Sequence, residues 1–153
     1  MKVNAEGLES DQIFPGLWQG PYPPEGDTVS LAGFQVVVFC AQECQPEPHW
    51  FPGVEIIQAP NEDNPRREIT ASELKIAVKA ARKVATAIQE RRPTLVTCHM
   101  GWNRSGLVSA IALHLLTGKS GAECIKHVQM CRKNALHNIS FQNVLREIKP
   151  RQR

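Results

Sequence analysis

The chain has 153 residues, of which 42% are hydrophobic, and its 18 basic and 15 acidic residues give a net charge of +3. This length suffices to bury a core, and no repeat, linker or low-complexity run divides the chain, so we expect one domain over residues 1–153. No apolar run reaches the roughly 18 residues that a membrane-spanning helix needs, and five cysteines without a signal-like start predict a cytoplasmic protein that has no structural disulfide.

Short β-rich segments dominate the first sixty residues. Strands are predicted within Ile13–Gly20, within Leu31–Phe39 and at Ile56–Ile57, where β-branched and aromatic residues cluster between turn residues. The last of these runs into the polar segment Pro60–Pro65, which begins and ends with proline. We therefore expect an exposed loop after that strand.

A long amphipathic helix is predicted over residues 71–91. Thr70 and Glu73 form a capping box at its start. Its apolar residues recur at helical spacing along one face: Leu74, Ala77, Val78, Ala81, Val84, Ala85 and Ile88.

One more strand and three helices are predicted in the second half of the chain. The strand is Thr94–Thr97, and the chain turns helical from Ser105. Ser120 with Glu123 caps the next helix, and Ser140 starts the last one. Strands separated by helices indicate an α/β fold, here a three-layer sandwich around a mainly parallel sheet, with ligands bound beyond the carboxyl ends of the strands.

The turn between the Thr94–Thr97 strand and its helix carries a cysteine and an arginine six positions apart, Cys98 and Arg104. The unpaired N–H groups and the dipole of a helix N-terminus attract anions and favour a thiolate over a thiol. The planar fork of Arg104 can hold two phosphoryl oxygens at once. The spacing therefore predicts a phosphate cradle that contains a nucleophile.

The other residues of this turn suit the same chemistry. Gly101 lets the backbone turn without a side chain in the way, and Ser105 can hydrogen-bond the sulfur and stabilise it as a leaving group. The residues expected to bind phosphate are His99, Met100, Gly101, Trp102, Asn103 and Arg104. The competing interpretation, an inert buried cysteine, would fit Cys98 alone better than it fits this combination.

The segment C-H-M-G-W-N-R-S-G resembles the C-x5-R-[ST] signature of the cysteine-based protein tyrosine phosphatase superfamily, and in particular its small dual-specificity branch. Residues 13–20 are similar to the family's I-x-P-x-L-x-x-G opening, residues 31–39 to its L-x-x-x-G strand, and residues 138–145 to its N-x-x-F-x-x-x-L helix. The resemblance covers about residues 13–148. It implies a phosphoprotein phosphatase that forms a cysteinyl-phosphate without metal or cofactor, acting on phosphotyrosine, with phosphoserine and phosphothreonine as further candidate substrates.

Such an enzyme needs a general acid for the leaving oxygen, which contributes roughly 10²–10⁴-fold. The Pro60–Pro65 segment resembles the family's acid loop, and Asp63 lies 35 residues before Cys98, an interval similar to the family's. Asp63 is favoured because Asp-Asn-Pro resembles the family's Asp-Gly-Pro. Glu62 is the rival acid, and a solvated turn carboxylate would account for one of the two.

Two positions beside the nucleophile distinguish this chain. The family usually has a histidine immediately before the cysteine, where this chain has Thr97, so we expect a retuned thiolate and slower turnover. Cys40 ends the strand that should neighbour the Cys98 strand, and some superfamily members carry there a cysteine that traps the oxidised nucleophile. A reversible Cys40–Cys98 disulfide is therefore a hypothesis. No cysteine spacing predicts a metal site.

Other functions remain open for the same residues. The G-W-N-R-S-G run is also similar to the G-F-N-R-T-G of the superfamily's RNA 5′-phosphatases, which makes RNA ends the alternative substrate. Thr97 leaves open a pseudophosphatase that binds phosphate without hydrolysing it. A rhodanese-like sulfurtransferase would also use a loop cysteine, but it would not need Asp63. We expect a monomer whose partner is a phosphorylated protein or peptide.

Overall fold

The computed structural model describes residues 8–151. The strands are β1 (Asp11–Phe14), β2 (Leu17–Pro21), β3 (Val36–Phe39), β4 (Glu55–Gln58) and β5 (Thr94–Cys98). The helices are α1 (Thr28–Leu31), α2 (Ala71–Gln89), α3 (Arg104–Thr117), α4 (Gly121–Cys131) and α5 (Ile139–Arg146), and a 3₁₀ turn spans Pro48–Trp50. No helix within residues 8–151 is both long enough and apolar enough to cross a membrane.

The five strands form one mixed sheet in the order β1-β2-β5-β3-β4. Only the β1–β2 pair is antiparallel, so the predicted α/β fold with a mainly parallel sheet is confirmed. The central strand is β5, which pairs with β2 through Pro21 and Cys98 and with β3 through Phe39 and Thr97. Cys98 thus lies at the carboxyl edge of the sheet, between two parallel neighbours.

Alternate residues of the strands enter two different apolar layers. Val38, Val96 and Cys98 pack on the side of the sheet that the helices α2 to α5 cover. Val37 and Leu95 pack on the opposite side. That second layer is thinner and is completed by Val29, Ala32, Phe34 and Phe51. Every residue of β5 is buried, as expected of a central parallel strand that is covered on both faces.

Helix α2 begins where the capping box predicts. The hydroxyl of Thr70 accepts a hydrogen bond from the backbone N–H of Glu73 at 3.1 Å, and the Glu73 carboxylate accepts one from the N–H of Thr70 at 2.9 Å. The helix ends at Gln89, two residues before the predicted end, and Arg91 then adopts a left-handed conformation with φ of 60°. That conformation terminates the helix.

The last helix begins one residue earlier than predicted. Ile139 is its first residue, because the side chain of Asn138, not that of Ser140, accepts a hydrogen bond from the N–H of Phe141 at 3.2 Å. Asparagine is among the best N-cap residues. Helix α4 follows its predicted cap, Ser120.

Candidate active site

Cys98 and Ser105 meet at the junction of β5 and α3. Cys98 is the last residue of the strand and is 3% exposed, and Ser105 lies in the first turn of the helix. The Cys98 Sγ and the Ser105 Oγ are 3.2 Å apart, within hydrogen-bonding distance. The sulfur therefore lies at the positive end of the helix dipole, next to a hydroxyl that can donate to it.

Gly101 is the position at which the turn between strand and helix cannot carry a side chain. Its φ is +75°, and a Cβ atom there would come 2.2 Å from the backbone carbon of Gly20. Close packing of two backbones thus requires glycine here. The turn lies directly against the end of β2.

Two buried side chains, Gln19 and Arg132, hold this turn from behind. The Gln19 amide donates to the carbonyl of Gly101 at 2.9 Å, and the Nε of Arg132 donates to the same carbonyl at 2.8 Å. Arg132 also donates to the carbonyl of Met100 at 2.9 Å and to Asp11 at 2.9 Å. Sequence reasoning missed both residues, because neither lies in a motif and each contact joins distant parts of the chain.

Arg104 lines the same cavity as Cys98 and is 8% exposed. Its Nη1 donates to both carboxylate oxygens of Glu43, at 2.5 and 3.0 Å, and to the carbonyl of Asn61 at 3.2 Å. Its Nε is buried and has no hydrogen-bond partner among residues 8–151. Burial lowers the pKa of Arg104, but the hydrogen bond to Glu43 and the charge of Cys98 outweigh this effect and raise it, so the guanidinium stays charged.

Asp63 is held at the same site by two asparagines. One carboxylate oxygen accepts from the Asn103 amide at 2.9 Å, and the other accepts from the Asn138 amide at 2.6 Å. Asp63 lines a cavity of about 200 Å³ together with Cys98 and Arg104. These contacts join the Pro60–Pro65 loop, the start of α5 and the turn between β5 and α3, residues 99–103, which we call the catalytic turn after its expected role.

Glu62, the rival acid, points into different surroundings. Its side chain is 64% exposed, its carboxylate pairs with Arg67 at 2.8 Å, and Arg67 also pairs with Glu73 at 2.6 Å. Glu62 lines the wider groove beside the cavity, of about 840 Å³, together with Glu43, Asp63 and Glu73. The two adjacent carboxylates thus differ in position, and Asp63 is the one that shares a cavity with the sulfur.

The side chains that follow Cys98 line the cavity, and they are exposed or contact other residues around it. His99 stacks on Tyr22 with ring centroids 6.0 Å apart, and Trp102 packs edge-on against His137 at 5.6 Å. The Met100 side chain is 47% exposed. The Asn103 amide is occupied by Asp63. These residues can therefore contact a phosphate through their backbone N–H groups, and sequence reasoning missed Tyr22 and His137 at the rim.

The sequence model of one protein family, the dual specificity phosphatase catalytic domain, matches residues 17–151 of this chain. The chain belongs to this family. The structure is similar to a mouse putative dual specificity phosphatase complexed with zinc tungstate, with 25% identity, a TM-score of 0.76 and coverage of 90% of this chain and 84% of that one. A comparison with curated proteins found no match.

Two further solved structures share the fold of this dual-specificity phosphatase domain. Tk-PTP in its active form is 22% identical with a TM-score of 0.79, covering 95% of this chain and 99% of that one. The human tyrosine phosphatase-like serine/threonine/tyrosine-interacting protein is 19% identical with a TM-score of 0.74, covering 90% of this chain and 93% of that one.

Thr97 makes two side-chain hydrogen bonds in this phosphatase domain. Its hydroxyl donates to the carbonyl of Val38 at 2.6 Å and accepts from the Gln45 amide at 2.6 Å. Thr97 is fully buried, and its hydroxyl acts once as donor and once as acceptor. Thr97, the residue before Cys98, is therefore fixed to the neighbouring strand β3 and to the turn that follows β3.

Cys40 lies one residue beyond the end of β3, next to Cys98 on the neighbouring strand. Phe39 pairs with Thr97, and the N–H of Cys40 donates to the carbonyl of Thr97 at 2.9 Å, so Cys40 and Cys98 continue the same parallel register on the same face. Burial, and then the charge of Cys98, raise the pKa of Cys40 well above its usual value. All five cysteines, each within the described residues, are free thiols. Residues 8–151 contain no group of three or more His, Cys, Asp or Glu arranged to hold a metal ion.

Proposed function

We propose that the chain hydrolyses phosphate monoesters on proteins through a cysteinyl-phosphate intermediate. The observation that carries this proposal is the arrangement at the start of α3, where the Cys98 sulfur lies 3.2 Å from the Ser105 hydroxyl and beside a buried arginine. The Arg104 Nε, which has no partner among residues 8–151, is a donor available to an oxyanion. Family membership over residues 17–151 supports the same chemistry.

In the first step the Cys98 thiolate attacks phosphorus and the bond to the leaving oxygen breaks. The N–H groups of residues 99–103 and the Arg104 guanidinium hold the phosphoryl oxygens and stabilise the charge of the transition state. Asp63, in its protonated form, gives its proton to the leaving oxygen. Its place in the cavity that contains Cys98 supports this role over Glu62.

In the second step water attacks the phosphocysteine and the sulfur leaves. The Asp63 carboxylate accepts a proton from this water, so the same residue acts in turn as acid and base. The Ser105 hydroxyl, 3.2 Å from the sulfur, donates a hydrogen bond to the departing thiolate. The reaction then returns the enzyme to its starting state.

A phosphoprotein is the substrate we propose, with phosphotyrosine as the preferred residue and phosphoserine and phosphothreonine as further candidates. Four carboxylates line the groove beside the catalytic cavity: Glu43, Glu62, Asp63 and Glu73. Three of these carboxylates pair with arginines, Glu43 with Arg104 and both Glu62 and Glu73 with Arg67. The charge of the groove therefore does not separate the two substrate classes, and RNA 5′ ends are the alternative substrate. We further propose that the protein acts as a cytoplasmic monomer.

Phosphate release from p-nitrophenyl phosphate in metal-free buffer tests the proposal. We expect Cys98→Ser to abolish turnover, because oxygen does not replace the thiolate as a nucleophile here. Asp63→Ala should lower kcat by roughly 10²–10⁴-fold on a phosphoester with a poor leaving group, the usual contribution of a general acid. Glu62→Ala is the matched control and should stay within about threefold, the range expected of an exposed carboxylate.

Three results would contradict parts of this assignment. If Glu62→Ala lost activity and Asp63→Ala did not, the general acid would be Glu62 and not Asp63. Tungstate binding without turnover in the parent protein would favour the pseudophosphatase. Transfer of sulfur from thiosulfate to cyanide would favour the rhodanese-like reaction.

We also propose that Cys40 protects the oxidised nucleophile. Peroxide would convert the Cys98 thiolate to a sulfenic acid, and the Cys40 sulfur would then displace water to form a disulfide. Adjacent positions on paired strands, on one face of the sheet, support this step. Mass spectrometry after mild peroxide treatment should find the Cys40–Cys98 crosslinked peptide, and Cys40→Ala should lose it and recover less activity on reduction. Irreversible oxidation of Cys98 without a crosslink in the parent would contradict the proposal.

A further inference from the structure

The turn that follows β3 touches the catalytic machinery at two separate points. We call residues 41–45 the β3 turn. It is closed by the N–H groups of Cys44 and Gln45, which both donate to the carbonyl of Ala41 at 3.1 Å. From this one turn, Glu43 reaches Arg104 and Gln45 reaches Thr97. The β3 turn thus contacts the phosphate-binding arginine and the residue immediately before the nucleophile.

Glu43 occupies one end of the Arg104 guanidinium and leaves the other end free. Both of its oxygens contact Nη1, the same nitrogen that donates to the Asn61 carbonyl. The buried Nε has no partner among residues 8–151. The three acceptors at Nη1 hold the guanidinium in one orientation, and its Nε edge is the part that remains for an oxyanion.

The charges agree with a stable Glu43–Arg104 pair. Partial burial raises the pKa of Glu43, but its hydrogen bond to Arg104 and the charge of Arg104 outweigh this effect and hold the pKa below its usual value. The carboxylate is therefore ionised at neutral pH. A buried guanidinium needs such a partner, because an unpaired charge in a dry site is costly.

Gln45 makes the second contact through both ends of its amide. Its oxygen accepts from the N–H of Ala41 at 2.8 Å, and its nitrogen donates to the Thr97 hydroxyl at 2.6 Å. Thr97 in turn gives its only hydroxyl proton to the carbonyl of Val38. The end of β5 is therefore attached in two ways: its backbone pairs with β3 in the sheet, and the Thr97 side chain binds Gln45 of the β3 turn.

We propose that the β3 turn is a brace that sets the position of the Arg104 guanidinium relative to the Cys98 sulfur, with Glu43 and Gln45 as positioning residues. The inference rests on the proposed phosphatase function, since it assigns these residues to the phosphate site. The opposite role for Glu43 would be that of an inhibitor, which holds Arg104 until substrate displaces it. The free Nε edge favours the brace, because substrate can bind there while Glu43 keeps its contacts.

Tungstate binding separates these two roles and does not require turnover. We would measure it by isothermal titration calorimetry in a Cys98→Ser background, with and without Glu43→Gln. The brace predicts binding about five- to tenfold weaker in Glu43→Gln, the scale of a lost charge-assisted contact. Glu47→Gln removes the same charge from a nearby exposed residue whose side chain makes no hydrogen bond or ion pair within residues 8–151, and it should stay within about twofold. Equal or tighter binding in Glu43→Gln would overturn the brace.

Steady-state kinetics test the Gln45 contact. Gln45→Leu and Thr97→Val each remove the same hydrogen bond, so each should lower kcat on p-nitrophenyl phosphate by about three- to tenfold with KM changed less. The double variant should lose little more than the worse single variant, and Thr97→Ser, which keeps the hydroxyl, should retain most of the activity. Equal thermal unfolding midpoints, or kinetics corrected for the folded fraction, remove loss of fold as an explanation. If the loss of kcat in the double variant equalled the product of the two single losses, the two residues would act independently, and the positioning role of Gln45 through Thr97 would be overturned.

Failure of the brace and failure of the proposed function give different results. A parent protein that turns over substrate, together with a Glu43→Gln variant of unchanged tungstate affinity, would reject the brace alone. A parent without turnover would reject the phosphatase proposal, and the tungstate comparison would still decide whether Glu43 positions Arg104.

Discussion

The two sides of the catalytic turn are held by different kinds of contact. On the side facing β2 and α4, Arg132 and Gln19 are buried, and both donate to backbone carbonyls of the turn. On the opposite side, Glu43 and Asp63 are exposed residues that contact Arg104, Asn103 and Asn138 through their carboxylates. The buried side fixes the backbone, and the exposed side carries the charged carboxylates.

This difference follows from solvation. A buried donor or acceptor that loses its partner is left unsatisfied away from water. Breaking the contacts of Gln19 and Arg132 therefore costs much free energy, and these contacts hold the turn in one conformation. The carboxylates on the exposed side are already partly solvated, so they add less to stability than the buried donors do. Substitutions on the two sides should therefore affect different measurements, stability on the buried side and anion binding or turnover on the exposed side.

The largest effect is expected at Arg132. Replacing it with methionine removes donors from the carbonyls of Gly101 and Met100, so Arg132→Met should lower the free energy of unfolding by about 3 kcal/mol and weaken activity as well. Urea unfolding measures this loss. Lys133→Met, at the exposed neighbouring position, is the matched control. A fully stable Arg132→Met protein would remove the distinction between the two sides.

Asn138 contributes to both sides, so its variants can separate the two kinds of contact. Its amide nitrogen orients Asp63, while its oxygen caps α5. We expect Asn138→Ala to cost about 1 kcal/mol of stability, the usual value of an N-cap, and to lower kcat by about tenfold because Asp63 loses one of its two donors. Asn138→Ser keeps a capping oxygen without placing a second carboxylate against Asp63, so it should recover stability without recovering kcat. Recovery of both would show that Asp63 does not depend on this amide.

A smaller effect is expected at Gln19, although its contact is also buried. Its amide oxygen has no partner among residues 8–151, so leucine would remove an unsatisfied acceptor together with the hydrogen bond to Gly101. The two changes oppose each other, and Gln19→Leu should cost about 1 kcal/mol in urea unfolding, with activity reduced less than in Arg132→Met. A loss as large as that of Arg132→Met would mean that the turn depends equally on both donors.

The smallest effect is expected at Glu73 and depends on pH. Its hydrogen bond to Arg67 is the main cause that lowers the pKa of Glu73 from 4.5 to about 2, and the capping contact with Thr70 adds to it. The ionised form is therefore the stabilising one: the contribution is complete above about pH 4.5 and is lost as the pH falls towards about 2.

Thermal unfolding between pH 7 and pH 2.5 checks this prediction. Glu73→Gln should cost about 0.5 kcal/mol at pH 7, the scale of a partly exposed ion pair and cap, and should converge with the parent at the acid end. A constant difference across the whole range would assign the effect to packing instead of charge.

Local patterns account for the parts of the fold that were predicted. The capping boxes at Thr70 and Ser120 were correct because a cap involves residues three apart. The end of α2 and the start of α5 were each misplaced by one or two residues, because Arg91 and Asn138 adopt conformations that periodicity does not encode. The α/β class followed from the order of strands and helices, which is a property of the chain itself.

Local spacing was enough to predict that a cysteine, a glycine, an arginine and a serine lie together at a strand-to-helix turn. Those residues are seven positions apart at most, so their meeting depends on local backbone geometry, and the structure brings Cys98 and Ser105 to 3.2 Å. The residues that surround them depend on the tertiary fold. Arg132, Gln45 and Glu43 reach the turn across 31 to 61 residues of chain, and which of two adjacent carboxylates enters the cavity depends on the direction of one loop. Such contacts depend on how layers pack, and no local spacing records that packing.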